Sequence, residues 1–482
     1  MVAHSFELLD EDERSLMFVL SSCRGPTPLD AIDHIAGEVD VSNVTSLLGS
    51  LVARNLVATA VSATGDLHYR LLETVRDHVR DRADEAGRSQ ATRRAHRDWF
   101  LAWSMTASPL ERFAGSGRAV RLEPHLANFR EAMRFSLDAD DPAMTYRQAT
   151  ELTSTWFTFL NGEEGLEWLD ASVGDDADEE TRVHYLVHAL SMAIASQRFE
   201  FLGLVGELGE RCIQVETPES VVGLALWALI QPGGSQVALE TMALAEERDR
   251  NLGSGLSPLV GHLRADLHLS AGDFEAAFAD YERTARSMDE GDFAWWVSAA
   301  HVGAALSPHA LGRLDEGLVR AERSLQVAAS MPDVIGGVTR SVAAVTTLLA
   351  ASGRLDEACA RLLEEIERTE ARTRSLRVRC EPLAAVLHLA IDLGDRAFAA
   401  RLLRFARDNA SVFRSSPWQS ALLDLASSRL SDEDLNSTPV ISIDEAVQGA
   451  RSLLRCDDNV IQLPPLGERL ANQPLQASTD EA

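Results

Sequence analysis

At 482 residues the chain has room for roughly three ordinary domains, or for one small domain and a long repeat array. Its 45% hydrophobic content is enough for a sizeable core, yet no run approaches the roughly 20 apolar residues of a membrane span. The formal net charge of −29, with every cation an arginine, opposes a broad phosphate-binding surface and so disfavours direct nucleic-acid binding.

Met1 to Glu7 carries neither a basic n-region nor an apolar h-region, so no secretory signal is expected. Asp10-Glu11-Asp12-Glu13 reads as an acidic helix start, followed by the apolar stripe Leu16, Met17, Val19 and Leu20. Gly25-Pro26-Thr27-Pro28 breaks the chain. A second helix from about Pro28 carries Ile32 and Ile35, and a third from about Ser42 carries Val44, Leu47, Leu48, Leu51 and Val52. Leu56 to Val61 and Leu67 to Leu71 are β-prone runs across the turn Ala63-Thr64-Gly65-Asp66 and read as a hairpin. Three helices and a hairpin make a winged helix, here placed at residues 6–90, and a long polar helix of about Leu72 to Ala86 leads out of it.

Residues 91–430 are helical almost throughout, and within them four phrases line up: Gly272-Asp273-Phe274-Glu275-Ala276-Ala277, then the stretches opening at Gly312, Gly353 and Gly394. A weaker fifth copy opens at Gly233, and the successive steps are 39, 40, 41 and 41 residues. The small residue five places after each glycine keeps the same steps. A fixed period of that size marks an α-solenoid of helical hairpins, expected to comprise about seven pairs. The acidic run Gly174 to Glu180 reads as a solvated loop and helix start. Residues 431–482 hold a helix near Ile443 to Leu454. From Cys456 a proline-containing tail follows, read as disordered or draped on the surface.

The expected fold is therefore mainly α: an N-terminal winged helix, then an α-solenoid of tetratricopeptide-like hairpins. Its chemistry is sparse. The third helix of the winged helix offers Ser42, Asn43, Thr45, Ser46, Ser50 and one cation, Arg54, which is little to place in a major groove. His184 and His188 share a helix face but have no third ligand in the sequence pattern, and no Gly-x-Ser-x-Gly elbow or local Cys signature occurs. The five cysteines are scattered and read as reduced thiols of a cytoplasmic protein. Neither enzymatic activity nor a metal or cofactor is expected.

Solenoid grooves bind protein segments or small effectors, so the partner is expected there. Candidate groove residues are the aromatics Trp156, Trp168, Phe293, Trp295 and Trp296, with Arg374 and Arg377 from the densest basic stretch. Consecutive helix positions point about 100° apart, so Trp295 and Trp296 cannot both face one seam, and one ring is expected at a groove, a repeat edge or a partner.

The segment Tyr69-Arg70-Leu71-Leu72-Glu73-Thr74-Val75-Arg76-Asp77-His78-Val79 resembles the phrase that closes the winged helix in actinobacterial STAND-class regulators, the signal-transduction ATPases of LuxR and antibiotic-regulatory type. Leu8 to Arg14, Leu47 to Val57, Asn128 to Met133 and Gly165 to Leu169 resemble further pieces in the same order. The resemblance implies a winged helix packed behind an ATPase core, then a repeat sensor, in transcription control. With no lysine, a phosphate-binding P-loop cannot form. Leu72 stands where related ATPases can hold a histidine that touches nucleotide phosphates, and the implied closing-motif residues are Tyr69, Arg70, Leu72, Glu73 and Arg76. The chain is thus read as the sensor half of such a regulator, a fragment or a stand-alone descendant, lacking ATPase core and C-terminal helix-turn-helix. The partners expected are a protein or small effector in the groove, a separate ATPase or transcription component, and, as an open alternative, a second copy in a homodimer. The competing reading is a DNA-binding transcription factor whose repeats serve dimerisation or effector binding.

Overall fold

The computed structural model describes residues 2–61, 65–159, 161–174, 177–196, 204–231, 235–331, 336–372, 376–409, 417–430 and 439–455. Outside them fall the turn residues Ala63 and Thr64, Asp175 and Asp176 of the acidic run, Gly233 of the fifth phrase, Arg374, and the tail from Cys456. Two compact units divide the chain, residues 1–196 and 197–482.

The first unit opens with α1 (Val2–Glu7), which begins before the expected boundary at residue 6, and α2 (Glu11–Ser21). Asp10 caps α2 through a reciprocal box with Glu13, which satisfies two backbone donors that the helix itself cannot. Next come β1 (Thr27–Pro28), α3 (Leu29–Gly37), α4 (Val44–Ala53), β2 (Val57–Val61), β3 (Leu67–Leu71) and α5 (Glu73–Glu85). The antiparallel sheet has the order β1-β3-β2, with Thr27 opposite Tyr69 and Thr59 opposite Tyr69 on the other side. In the sequence β1 shows only as a chain break, because two residues, one of them proline, show no alternation; its pairing to β3 comes from tertiary contact. Leu16, Leu20, Ile32, Ile35, Leu48, Leu51 and Val79 are almost wholly buried and form the winged-helix core.

Helix α6 (Ser89–Ser104) packs on α2, α3 and α5, so the winged helix and the first repeat helices share one compact unit. The unit continues through α7 (Pro109–Ala114), α8 (Ser116–Leu122), α9 (Leu126–Asp138), α10 (Pro142–Glu151), α11 (Thr153–Thr158), α12 (Gly162–Asp170) and α13 (Glu179–Ser196).

The second unit runs α14 (Leu204–Gln214), α15 (Pro218–Ile230), α16 (Gln236–Leu252), α17 (Ser257–Ala271), α18 (Phe274–Ser287), α19 (Glu290–Ala310), α20 (Leu314–Ala329), α21 (Gly337–Ala351), α22 (Leu355–Arg372), α23 (Leu376–Asp392), α24 (Arg396–Asp408), α25 (Pro417–Arg429) and α26 (Ile443–Leu454). The repeat phrase is the hinge of each hairpin. Gly272, Gly312, Gly353 and Gly394 all sit at φ between +76° and +84°, the left-handed region a side chain rarely enters, just past the end of the first helix. The small residue five places on lies where helices cross closest. Ala277, Ala358 and Ala399 are fully buried, and a Cβ on Gly317 would stand 2.7 Å from the Ala305 carbonyl oxygen. The first helices α17, α19, α21 and α23 touch in succession and form the inner row. α25 packs on α23 and also reaches α17, three repeats earlier, so it lies across that row.

Candidate functional site

Two places gather the residues singled out in the sequence. The first is in the N-terminal unit, where β3 delivers the closing phrase to the start of α5. Tyr69 is half-buried on the sheet, Arg70 is exposed and Leu72 is 50% exposed at the N-cap of α5. Leucine has no side-chain acceptor, and none caps this helix. Glu73 and Asp77 stand 3.5 Å and 3.7 Å from the guanidinium of Arg76, whose own side chain is only 9% exposed. Arg24, Arg70, Arg76, Arg130 and Arg134 line one cleft of about 600 Å³ here, with Leu72 and Glu73 on its wall.

Glu131 on α9 organises the floor behind that cleft. Its carboxylate is 3.1 Å from Arg24 and Arg80 and 3.4 Å from Arg93 and Arg134, and only 3% of its side chain is exposed. Burial pushes this carboxyl up, but the charges of Arg80, Arg24 and Arg93 outweigh burial and hold it below the usual carboxylate range. Asn128, one turn earlier, accepts from the Arg24 backbone N–H at 2.8 Å and donates to the Pro26 carbonyl at 3.3 Å. The Arg24-Gly25-Pro26 loop is thereby pinned to α9. His96, 3.3 Å from Asn128, is neutral because burial lowers its pKa to about 4.

Trp168 belongs to this neighbourhood. Its indole N–H donates to Glu164 at 3.3 Å, and Glu164 holds Arg130 of the cleft through two bonds of 2.5 and 2.7 Å. Trp156, by contrast, is fully buried: a Cβ on Gly165 would meet its ring at 2.9 Å, so it fills core space rather than a binding surface.

The second place is on the first helices of the repeats. Trp295 is buried and Trp296 half-buried, their rings 4.8 Å apart and near-perpendicular. Arg340 of α21 stands 4.6 Å over the Trp295 ring, a cation–π pair, while Trp296 meets the edge of His262 on α17 at 4.9 Å. One ring thus enters the seam and the other turns to the preceding repeat, in keeping with their 100° separation. Phe293 sits where α19 kinks, at φ −122° and ψ 26°. Tyr281 of α18 donates to Asp266 at 2.5 Å and lies edge-on to His262 at 5.4 Å. Burial raises Asp266 to about 7 and lowers His262 to about 3, so near pH 7 the imidazole is neutral and the carboxyl is close to half protonated. Sequence reasoning missed His262, Asp266, Tyr281 and Arg340, which lie on α17, α18 and α21 and meet only through helix packing. Arg374 is outside the described residues. Arg377 lies in α23, whereas its neighbour Arg379 is held by Glu370 and Asp444.

No group of three or more metal-ligating side chains occurs among the described residues, and no described helix is long and apolar enough to cross a membrane. His188 donates to or accepts from Thr153 at 2.8 Å and stacks on Phe113, a core role. Burial pushes the Cys23 thiol up to about 11 and those of Cys212 and Cys380 up to about 12, far from thiolate chemistry at neutral pH.

Residues 9–84 match the family described as a winged helix-turn-helix domain. That covers the whole helix–sheet assembly from α2 to α5. The N-terminal unit contains a winged helix-turn-helix domain. Over 191 residues the chain is 28% identical to a Mycobacterium tuberculosis protein named "Putative HTH-type transcriptional regulator Rv0890c", and equally to one from Mycobacterium bovis named "Putative HTH-type transcriptional regulator Mb0914c". The match takes in 39% of this chain and 21% of each relative, so the chain spans about a fifth of their length. Among solved structures, a Signal Transduction ATPase with Numerous Domains carrying a tetratricopeptide repeat sensor, PH0952 from Pyrococcus horikoshii, aligns with a TM-score of 0.45. Its identity to this chain is 15%, over 87% of this chain and 65% of that one.

Proposed function

We propose that this chain is a non-enzymatic regulatory sensor or scaffold module in transcriptional or signalling control, which holds a protein segment or small effector against the first helices of its repeats. The observation that carries the reading is the cluster of Trp295, Trp296, His262 and Arg340. It joins two indoles, a neutral imidazole and a guanidinium from three successive first helices in one cluster, in which Trp295, His262 and Arg340 are buried and Trp296 is the partly exposed member. Rigid aromatics beside a cation are the side-chain types that dominate binding hot spots. Similarity to mycobacterial proteins named as HTH-type transcriptional regulators supports a role in transcription.

The test is affinity capture and chemical crosslinking from lysate with the full chain and with Trp296→Ala, together with an effector screen by melting temperature. Recovery of a partner, or a stabilising effector, that Trp296→Ala loses is the expected result. Equal recovery by both proteins, or no partner and no stabilising effector, would count against the groove.

A second reading, DNA binding through α4, is favoured by the match to the winged helix-turn-helix family. Against it, the single cation at the end of α4, Arg54, is drawn 3.3 Å from buried Glu13, which also accepts from Ser50 at 2.6 Å. Gel shifts with genomic DNA fragments at low salt decide it: a retarded band lost on Arg54→Ala would establish DNA contact through this helix.

A further inference from the structure

The arginine-lined cleft of the N-terminal unit is left unused by that reading. It concentrates five guanidinium groups in a chain whose net charge is −29. They are unequally satisfied. Arg130 has its own carboxylate in Glu164, but Arg24 and Arg134 share Glu131 with Arg80 and Arg93, so one acid serves four cations. Arg93 also reaches Asp138, at 3.7 Å. Arg70 is exposed, with no hydrogen bond or ion pair among the described residues. Arg76 is nine-tenths buried at the cleft wall, meets its acids at 3.5 and 3.7 Å, and its Nε has no acceptor among the described residues. A buried donor left without an acceptor costs roughly 1–3 kcal/mol, more when charged, and an arriving anion removes that cost. The positive end of α5 adds to the same field, because Leu72 leaves its first turn without a side-chain cap.

Between the charges the wall is apolar. Leu72 is 50% exposed, with Pro26 and Ala127 beside it in the cleft. The cations come from separate elements: the loop at Arg24, β3, α5 and α9. A single compact anion would need them to converge, whereas an extended peptide meets spaced cations and apolar patches with successive side chains. The forked groups here already hold carboxylates, Arg130 on Glu164 and Arg24 on Glu131.

We propose that this cleft docks an acidic, leucine-containing segment of a partner protein, its carboxylates on Arg24, Arg70, Arg76 and Arg134 and its apolar side chain on Leu72. The site is separate from the repeat cluster, so its success or failure is independent of the groove reading.

The test is fluorescence anisotropy of a fluorescein-labelled peptide repeating Glu-Leu-Asp with the full chain. Arg70→Gln with Arg134→Gln removes charge at exposed positions, Arg134 being 53% exposed, and an unchanged melting temperature shows that the fold is retained. Wild-type binding should weaken about tenfold or more in the double variant and again between about 50 and 500 mM salt. A peptide with serine for leucine should bind more weakly, and Leu72→Asp should reproduce that loss. No binding of the acidic peptide to wild type, or equal binding to the double variant, overturns the proposal. So does displacement of the peptide by inorganic phosphate at matching concentration, which would make the cleft a phosphate site. Retention of labelled DNA in place of the peptide would overturn it too.

Discussion

Glu131 is the residue on which the N-terminal unit turns electrostatically. Its glutamine variant keeps the shape but leaves four arginines around a neutral amide. A buried pair broken on one side costs roughly 3–5 kcal/mol, and with several cations involved the unfolding free energy of the full chain, read from urea titration, should fall by an amount in that range. Its carboxyl is held below the unfolded value, so its contribution is present above the unfolded carboxylate range and lost as pH falls through the folded value. His96 acts in the same direction: neutral in the fold down to about pH 4 but protonated near 6.5 when unfolded, it costs stability as pH falls between those values.

Asp266 acts in the opposite direction. Its folded pKa of about 7 lies above the unfolded 3.8, so its contribution is present at low pH and lost as pH rises toward 7. The residues facing it are His262 on its own helix, Tyr281 on α18 and Arg340 on α21, the last two of which moderate the shift. Asp266→Asn keeps an acceptor for Tyr281 without the charge. We expect the variant to match wild type only below about pH 4, and its advantage to grow with pH to about 1 kcal/mol or more at pH 8, read from paired thermal melts. A difference constant across pH would show that Asp266 stays ionised.

At the scale of the helical pair, the phrase glycines set the repeat. Gly353→Ala meets no neighbouring atom within 4 Å, yet must adopt φ +76°, so its cost of about 1–2 kcal/mol would be pure backbone strain. Gly317→Ala fails for a different reason, with the new methyl 2.7 Å from the Ala305 carbonyl and 3.0 Å from Leu348. Urea titrations should show both destabilised. The second should cost more, because its nearest clash is with a backbone carbonyl that no side-chain rearrangement removes. The hairpins were readable because both causes are local: a left-handed turn demands glycine, and a helix crossing demands a small residue a fixed distance later. The two-residue β1 was not readable, since its strand character lies in the partner it pairs with.

At the scale of the whole chain, α25 ties α23 to α17 across three repeats. Leu423 of α25 is 3% exposed, and a charge there would be forced into the apolar core. Leu423→Asp should therefore raise amide hydrogen exchange in α17 and α23 together, whereas a local defect would raise it near α25 alone.

The sequence by itself determined the winged helix, the forty-residue hairpin and the split between Trp295 and Trp296, because these follow from periodicity, turn chemistry and helix geometry within a short stretch. It also singled out Arg70, Leu72, Glu73 and Arg76, though as one phrase without surroundings. Only the tertiary structure decided that Trp156 is core, that Trp168 supports Arg130 through Glu164, and that Arg24, Arg80, Arg93 and Arg134 converge on Glu131. The reason is physical: an ion-pair hub and a cleft join side chains as far apart in sequence as Arg24 and Glu131, 107 positions, whose meeting depends on how elements pack and not on any pattern within them.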